Sequence, residues 1–325
     1  MKPIIPPVDK ELIEKELTKD KFLRKTNYGN NLLYVVNYKN SPNIMLEIGR
    51  LRELTFRAAG GGTGKEVDID CYDTADVPYE QLIVWDPQRK EILGGYRFIV
   101  CSNLKPDEEG NYNLATSRLF KFSKKFKEEY LPYTIELGRS FVQPAYQSTQ
   151  RNSKGIYALD NLWDGLAAIW LNNPHVKYFF GKVTMYNSYN REARDLLIYF
   201  MNKYFGDTEN LVIPYEPMGY EYDIEYLKGI LKGETYQENY KILNQFVRSK
   251  GETIPPLINA YMSLSPTMKV FGTAINYHFG NVEETAVLIT IKDMYPKKIE
   301  RHIKSYLHGK NSDENNLPES LYNIS

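Results

Sequence analysis

The stretch Tyr133-Thr134-Ile135-Glu136-Leu137-Gly138-Arg139-Ser140-Phe141-Val142 constrains the chain more than any other. Pro132 and Pro144 bound it, and its β-branched and aromatic content predicts a short strand. Yet it carries Glu136 and Arg139 among apolar neighbours. A buried charge has to be paired or offered to a ligand, because leaving it alone is very costly. Gly138, between the two, predicts a bulge or a close approach by another backbone or a ligand. From this stretch alone, a structural ion pair and a ligand-facing pair are both open.

The 325 residues suffice for one large core or two ordinary ones, and 42% hydrophobic with 25% charged residues is usual for a globular protein. The 41 basic and 41 acidic side chains cancel, which removes the simplest electrostatic case for a nucleic-acid binder. Cys71 and Cys101 show no metal-ligand spacing and read as reduced, packed thiols. The histidines form no metal signature, and His302 and His308, in a basic C-terminal helix, read as solvated. The opening MKPIIPPVDKELIEKEL lacks a signal-peptide core and no run reaches transmembrane length, so a soluble cytoplasmic protein is expected.

Along the chain, residues 9–25 read as an exposed helix and 31–38 as a first strand. Ile44, Ile48, Leu51 and Leu54/Thr55 recur at helical spacing from Pro42 to about Ala58. The following Gly60-Gly61-Gly62-Thr63-Gly64 lacks the lysine and the preceding strand of a nucleotide-binding P-loop. The acidic run Val67–Asp73 lacks the further ligands of an EF-hand. Strands follow at Gln81–Trp85 and Ile92–Cys101, the second placing Arg97 between Tyr96 and Phe98. After the organising strand, Arg151-Asn152-Ser153-Lys154-Gly155 feeds a helix over Ile156–Leu171, and such a junction suits an anionic group. A strand at Tyr178–Tyr186 and a helix from Asn190 to about Phe205 complete a β–α–β–α run. Helices near 222–232 and 237–250, a strand at Glu284–Ile291, a basic helix after Pro296 and a disordered polar tail, SDENNLPES, are expected beyond it. There are no internal repeats and no clean linker.

Taken together, Leu51-Arg52-x-x-x-Phe56, Asp70-x-x-Asp73, Arg97 in a Gly-x-Arg-Phe strand and Glu136-x-x-Arg139 resemble the acyl-carrier-protein-dependent N-acyltransferases of the GNAT superfamily. The group in question makes N-acyl amino acid lipids from ornithine or glycine, and some of its members carry a hemolysin label; acyl-homoserine-lactone synthases are more distantly similar. The helix around Leu162-Trp163-Asp164-Gly165 adds to the likeness, which runs from about Leu51 to Phe205 and resumes at IPPLINAYMSL and the final strand. It implies an α+β fold with a mixed, mainly antiparallel sheet flanked by helices and a C-terminal extension. The division that follows is a helical extension over 1–30, an acyltransferase core over 31–206, a completing part over 207–294, and a basic helix and tail over 295–325.

The resemblance also implies roles. Glu136 and Arg139 are the catalytic candidates, Glu136 as the base or through a water relay, and Arg97 and Arg139, with Arg52 as a third, are the candidates for the acceptor's carboxylate. Arg52, Phe56, Asp70, Asp73 and Arg97 line the acceptor side. Arg151, Lys154 and Gly155 meet the donor's phosphopantetheine phosphate. The implied reaction moves a fatty acyl group, typically 3-hydroxyacyl, from acyl carrier protein to the α-amine of glycine or ornithine. No tightly bound cofactor or metal is expected; the donor is acyl-phosphopantetheine, with coenzyme A as the alternative carrier. Expected partners are acyl carrier protein and the amino acid, with peripheral contact at the inner membrane face through the lipid product, and no nucleic acid. The spaced glycines of the usual GNAT pyrophosphate loop are only partly present as Arg151-x-x-x-Gly155. A lactone synthase, a non-catalytic acyl-binding protein, and a purely structural charge network are the competing readings.

Overall fold

The computed structural model describes residues 1–147 and 153–311. Short helix α1 (Lys10–Glu16) leads to strands β1 (Phe22–Lys25) and β2 (Leu32–Val36), then to α2 (Pro42–Ala58). Next come β3 (Glu80–Asp86), β4 (Glu91–Val100), β5 (Phe120–Phe122) and β6 (Thr134–Val142). Helix α3 (Ser153–Leu171), β7 (Tyr178–Met185), α4 (Arg191–Phe205) and β8 (Val212–Pro214) follow. The chain then forms α5 (Ile224–Ile230), α6 (Tyr236–Ser249), α7 (Pro256–Met262), β9 (Lys269–Asn276), β10 (Val282–Thr290) and α8 (Pro296–Asn311).

Eight strands form one sheet in the order β1-β2-β3-β4-β6-β7-β10-β9, and β5 pairs with β8 in a separate ribbon. Every pairing in the large sheet is antiparallel except β6 with β7. That exception follows from chain order: α3 carries the chain from the end of β6 back to the start of β7, as a crossover between parallel strands must. Period-two alternation sorts β6 between the two faces. Ile135 and Leu137 join the apolar core beneath α3 and α4, so Glu136 faces the opposite layer, with Ile99 and Phe180. Helix α2 packs on that second face through Ile44, Ile48 and Leu51.

The parallel pairing ends at Leu137↔Gly181, although both strands run on. A Cβ on Gly181 would lie 2.4 Å from the Leu137 carbonyl oxygen, so glycine permits the last close approach before the strands part. Between Gly95 and Arg97 the β4–β6 register slips, and Arg139 opposite has φ +49°. A bulge bends its strand, and this one turns β6 away from β7. The distortion expected at Gly138 is therefore carried by Arg139, a non-glycine residue in a region that costs energy.

Elsewhere the reading of the chain needs correction. The helix expected over 9–25 covers only Lys10–Glu16, and Phe22–Lys25 is instead the edge strand of the sheet. Flanking lysines hid it, and charged residues suit an edge strand. Strand β9 was not foreseen: buried residues of Lys269–Asn276 come in pairs between half-buried ones and give no clear period of two. Cys101 is buried as expected, but Cys71 is exposed. His302 is not solvated: it is buried, with Nδ1 2.6 Å from Asp164 Oδ1 on α3. Asp164 also accepts from the backbone N–H and the side-chain amide of Asn27, at 2.8 and 2.6 Å. The polar tail and His308's side chain lie outside what is described.

This buried polar knot joins α8, α3 and the β1–β2 turn. Replacing His302 with Ala strands Asp164 of one partner and is expected to cost about 1–3 kcal/mol. Denaturant unfolding checks it; an unchanged midpoint would show that α8 is docked by its apolar contacts alone.

Candidate active site

The parting of β6 and β7 opens a cleft of about 380 Å³. Its walls draw on both faces of the sheet: Phe56, Arg97 and Glu136 on one, Leu159, Ile258 and Tyr261 on the other. The gap between the strands thus connects an apolar wall built by α3 and α7 with a charged layer beneath α2. A second, more polar cleft of about 540 Å³ lies beside the 60–64 glycine loop, and Arg97, Arg139 and Lys182 line both.

Three guanidiniums and three carboxylates make up the charged layer. Arg97 Nη1 donates to both Asp70 oxygens at 2.7 Å and reaches Asp73 Oδ2 at 3.4 Å. Arg52 Nη1 is 3.2 Å from Asp73 Oδ2, and its Nη2 donates to Gln81. Arg139 Nε is 2.8 Å from Asp68 Oδ2, with its guanidinium 4.1 Å from the centre of the Phe279 ring. Burial works against charge here, yet Arg97 and Arg139 outweigh it and hold the Asp70 carboxyl well below its usual range. Asp73 and Asp70 likewise outweigh burial and raise Arg97 well above its usual value.

Glu136 is different. It is 1% exposed, and no Lys or Arg lies at ion-pair distance among the described residues. Neutral donors hold it instead: the Tyr79 hydroxyl at 2.6 Å on one oxygen, and the Thr116 N–H at 2.8 Å and its hydroxyl at 2.5 Å on the other. Burial first, then the Glu136 charge, push the Tyr79 phenol well above its ordinary value, so Tyr79 remains a donor. Three donors use most of a carboxylate's four lone-pair sites and leave it one.

The structure brings together Glu136, Arg139, Arg97, Asp70 and Phe56 at the clefts. Arg52 and Asp73 line neither cleft and are fully buried, so these two, expected on the acceptor side, stand behind Arg97 and Asp70 as support. Arg151 lies outside the described residues, while Lys154 and Gly155 fall in the first turn of α3. Sequence reasoning missed Asp68, Tyr79, Thr116, Lys182 and Glu284. For Lys182 the signal was present, since Phe179-Phe180-Gly181-Lys182-Val183 sets a charge in an apolar strand as the Arg97 and Glu136 strands do. Tyr79 and Thr116 come from loops and give no such sign.

Because folding lowers the Asp70 pKa, its contribution to stability is complete above the unfolded-state value near 3.8 and is lost as pH falls below it. The stability gap between wild type and Asp70→Asn is expected to stay level between about pH 5 and 8 and to shrink below about pH 4. Denaturant melts across pH measure it, and a gap that stays level down to about pH 3 would contradict the pairing.

Residues 51–154 match the model of the acetyltransferase (GNAT) domain. A glycine N(alpha)-acyltransferase of Bacteroides thetaiotaomicron is 57% identical over 309 residues, covering 95% of this chain and 92% of that one. Another glycine N(alpha)-acyltransferase, from Phocaeicola vulgatus, is 55% identical over 307 residues, 94% of each chain. Among solved structures, FeeM, an N-acyl amino acid synthase from uncultured soil microbes, aligns with 80% of this chain and 90% of its own, at 10% identity and a TM-score of 0.41. At 55–57% identity over nearly the whole length, the chain belongs to this family of GNAT N-acyltransferases and is an acyltransferase.

Proposed function

We propose that the protein transfers a fatty acyl group from a carrier-bound thioester to the α-amine of glycine, making an N-acylglycine. One observation carries the chemistry: a buried carboxylate with no cation partner among the described residues, Glu136, lines the cleft where β6 and β7 part. An unpaired buried anion is costly. An ammonium group arriving beside it supplies the missing charge, which favours an acceptor that enters protonated.

An α-ammonium with a pKa near ~8 must lose a proton before it can attack. Glu136 takes that proton through its remaining lone pair or through one water. The amine nitrogen then attacks the thioester carbonyl carbon, forming the C–N bond. A backbone N–H freed by the strand distortion around Gly138, past the last β6–β7 pair, would receive the oxyanion, a contribution typically worth ~3–4 kcal/mol. Collapse breaks the C–S bond; Glu136 returns the first proton to the leaving thiolate and takes the second from the attacking nitrogen, from which it passes to solvent. Arg97 and Arg139 orient the acids around the acceptor.

The glycine assignment draws on the names of the two relatives, and the apolar wall of Leu159, Ile258 and Tyr261 suits a fatty acyl chain. For the donor we favour acyl carrier protein over coenzyme A, with a 3-hydroxyacyl chain, as the sequence resemblance implies. Lys154 and Gly155 in the first turn of α3, together with Arg151, would meet its phosphopantetheine phosphate, since a helix N-terminus favours an anion. No helix among the described residues is long and apolar enough to cross a membrane. Cytoplasmic synthesis with peripheral membrane contact through the lipid product fits this reading.

Supplied with acyl carrier protein and coenzyme A thioesters of one 3-hydroxy acid and an equimolar mixture of amino acids, the enzyme is expected to form N-acylglycine as its main product, faster from the carrier protein. Mass spectrometry reads the outcome. A dominant ornithine product, or free fatty acid alone, would overturn the acceptor assignment.

A further inference from the structure

Glycine's amine is accounted for above, but its carboxylate is not. Arg52 lines neither cleft, and Arg97 and Arg139 are matched by Asp68, Asp70 and Asp73. Lys182 stands apart from this cluster. It sits on β7, one residue past the last pair with β6, and lines both clefts. Its Nζ donates to the Ala115 carbonyl at 3.0 Å and lies 2.9 Å from Glu284 Oε2. Glu284 is 3% exposed on β10; burial opposes its charge, and Lys182, with smaller help from Arg139 and Asn276, outweighs burial to lower its pKa. A lysine ammonium has three N–H donors, and the Ala115 carbonyl takes one of them.

The decisive relation is between Lys182 and Glu136. The peptide group joining Ala115 to Thr116 lies between them: its carbonyl accepts from Lys182 and its N–H donates to Glu136 at 2.8 Å. Two hydrogen bonds and one peptide unit place the ammonium and the nearer Glu136 oxygen at most about 8 Å apart. A zwitterion with amine and carboxylate on a single carbon, hydrogen-bonded at each end, spans about the same distance. Both groups grip one peptide, so their separation is set by covalent geometry.

We propose that Lys182, oriented by Glu284, binds the α-carboxylate of the acceptor and makes the enzyme select amino acids over simple amines. This rests on the glycine-acylating reading above. The carboxylate at Lys182 and the ammonium at Glu136 fix the acceptor at two points, with its nitrogen toward the gap between β6 and β7.

The test compares glycine with glycinamide, which keeps the amine and lacks the carboxylate, using acyl carrier protein thioester as donor. Wild type should prefer glycine. Lys182→Met should raise the glycine KM roughly 10- to 100-fold, the scale of one charged hydrogen bond, and bring the two acceptors to similar kcat/KM. Lys182→Arg should restore part of the preference. If Lys182→Met folds poorly, because it leaves Glu284 unpaired, Lys182→Met/Glu284→Gln removes both charges and carries the same expectation. A purely structural cross-strand pair predicts a lower melting temperature with the preference for glycine intact, and that result would overturn the proposal. So would a wild type that accepts both acceptors equally. A wild type that acylates glycinamide and other simple amines but not glycine would overturn the glycine assignment and this proposal together. One that acylates glycine and keeps its preference without Lys182 would overturn this proposal alone.

Discussion

Burying ionised groups under a β-sheet is the constraint on which this structure depends. Arg52, Arg97 and Arg139 face Asp68, Asp70 and Asp73, and the match lets six charges sit between α2 and the sheet. Breaking such a pair costs about 3–5 kcal/mol, so the cluster also holds the 60–73 segment in place. With the arginines neutralised, Glu136 remains as a carboxylate held, among the described residues, by two hydroxyls and an N–H. The site is therefore polarised before any substrate arrives.

The sheet supplies the opening for that charge. A parallel pair inside an otherwise antiparallel sheet has to be joined by a crossover helix, and the two strands are free to diverge beyond the crossover. Gly181 brings them together at Leu137, and the Arg139 bulge then turns β6 aside. Arg139 has two functions in this arrangement: its backbone bends the strand, and its guanidinium neutralises Asp68. Glycine would adopt the positive φ more easily but would leave that carboxylate without its guanidinium.

Much of this was legible because charges in apolar strands are conspicuous. Glu136, Arg139 and Arg97 announced themselves against their neighbours, and the β–α–β order required a parallel junction. What escaped had weaker signals. Tyr79 and Thr116 arrive from loops whose course depends on tertiary packing, and Lys182 needed Glu284, 102 positions away, before its role had a shape. Residues Phe22–Lys25 form an edge strand whose charged composition reads equally well as a helix. His302 was misjudged because its partner, Asp164, lies on a distant helix. Local pattern reveals which residues are unusual, while pairing across the fold determines what they do.

The central claim is that Glu136 accepts the amine proton. Its most direct test is single-turnover acylation of glycine by Glu136→Gln at saturating donor and acceptor, per folded molecule. The glutamine keeps the shape and cannot take the proton. The account predicts a rate lower by roughly 10²–10⁴-fold, the scale of a positioned base. A well-folded Glu136→Gln protein that turns over at a near-normal rate would contradict it.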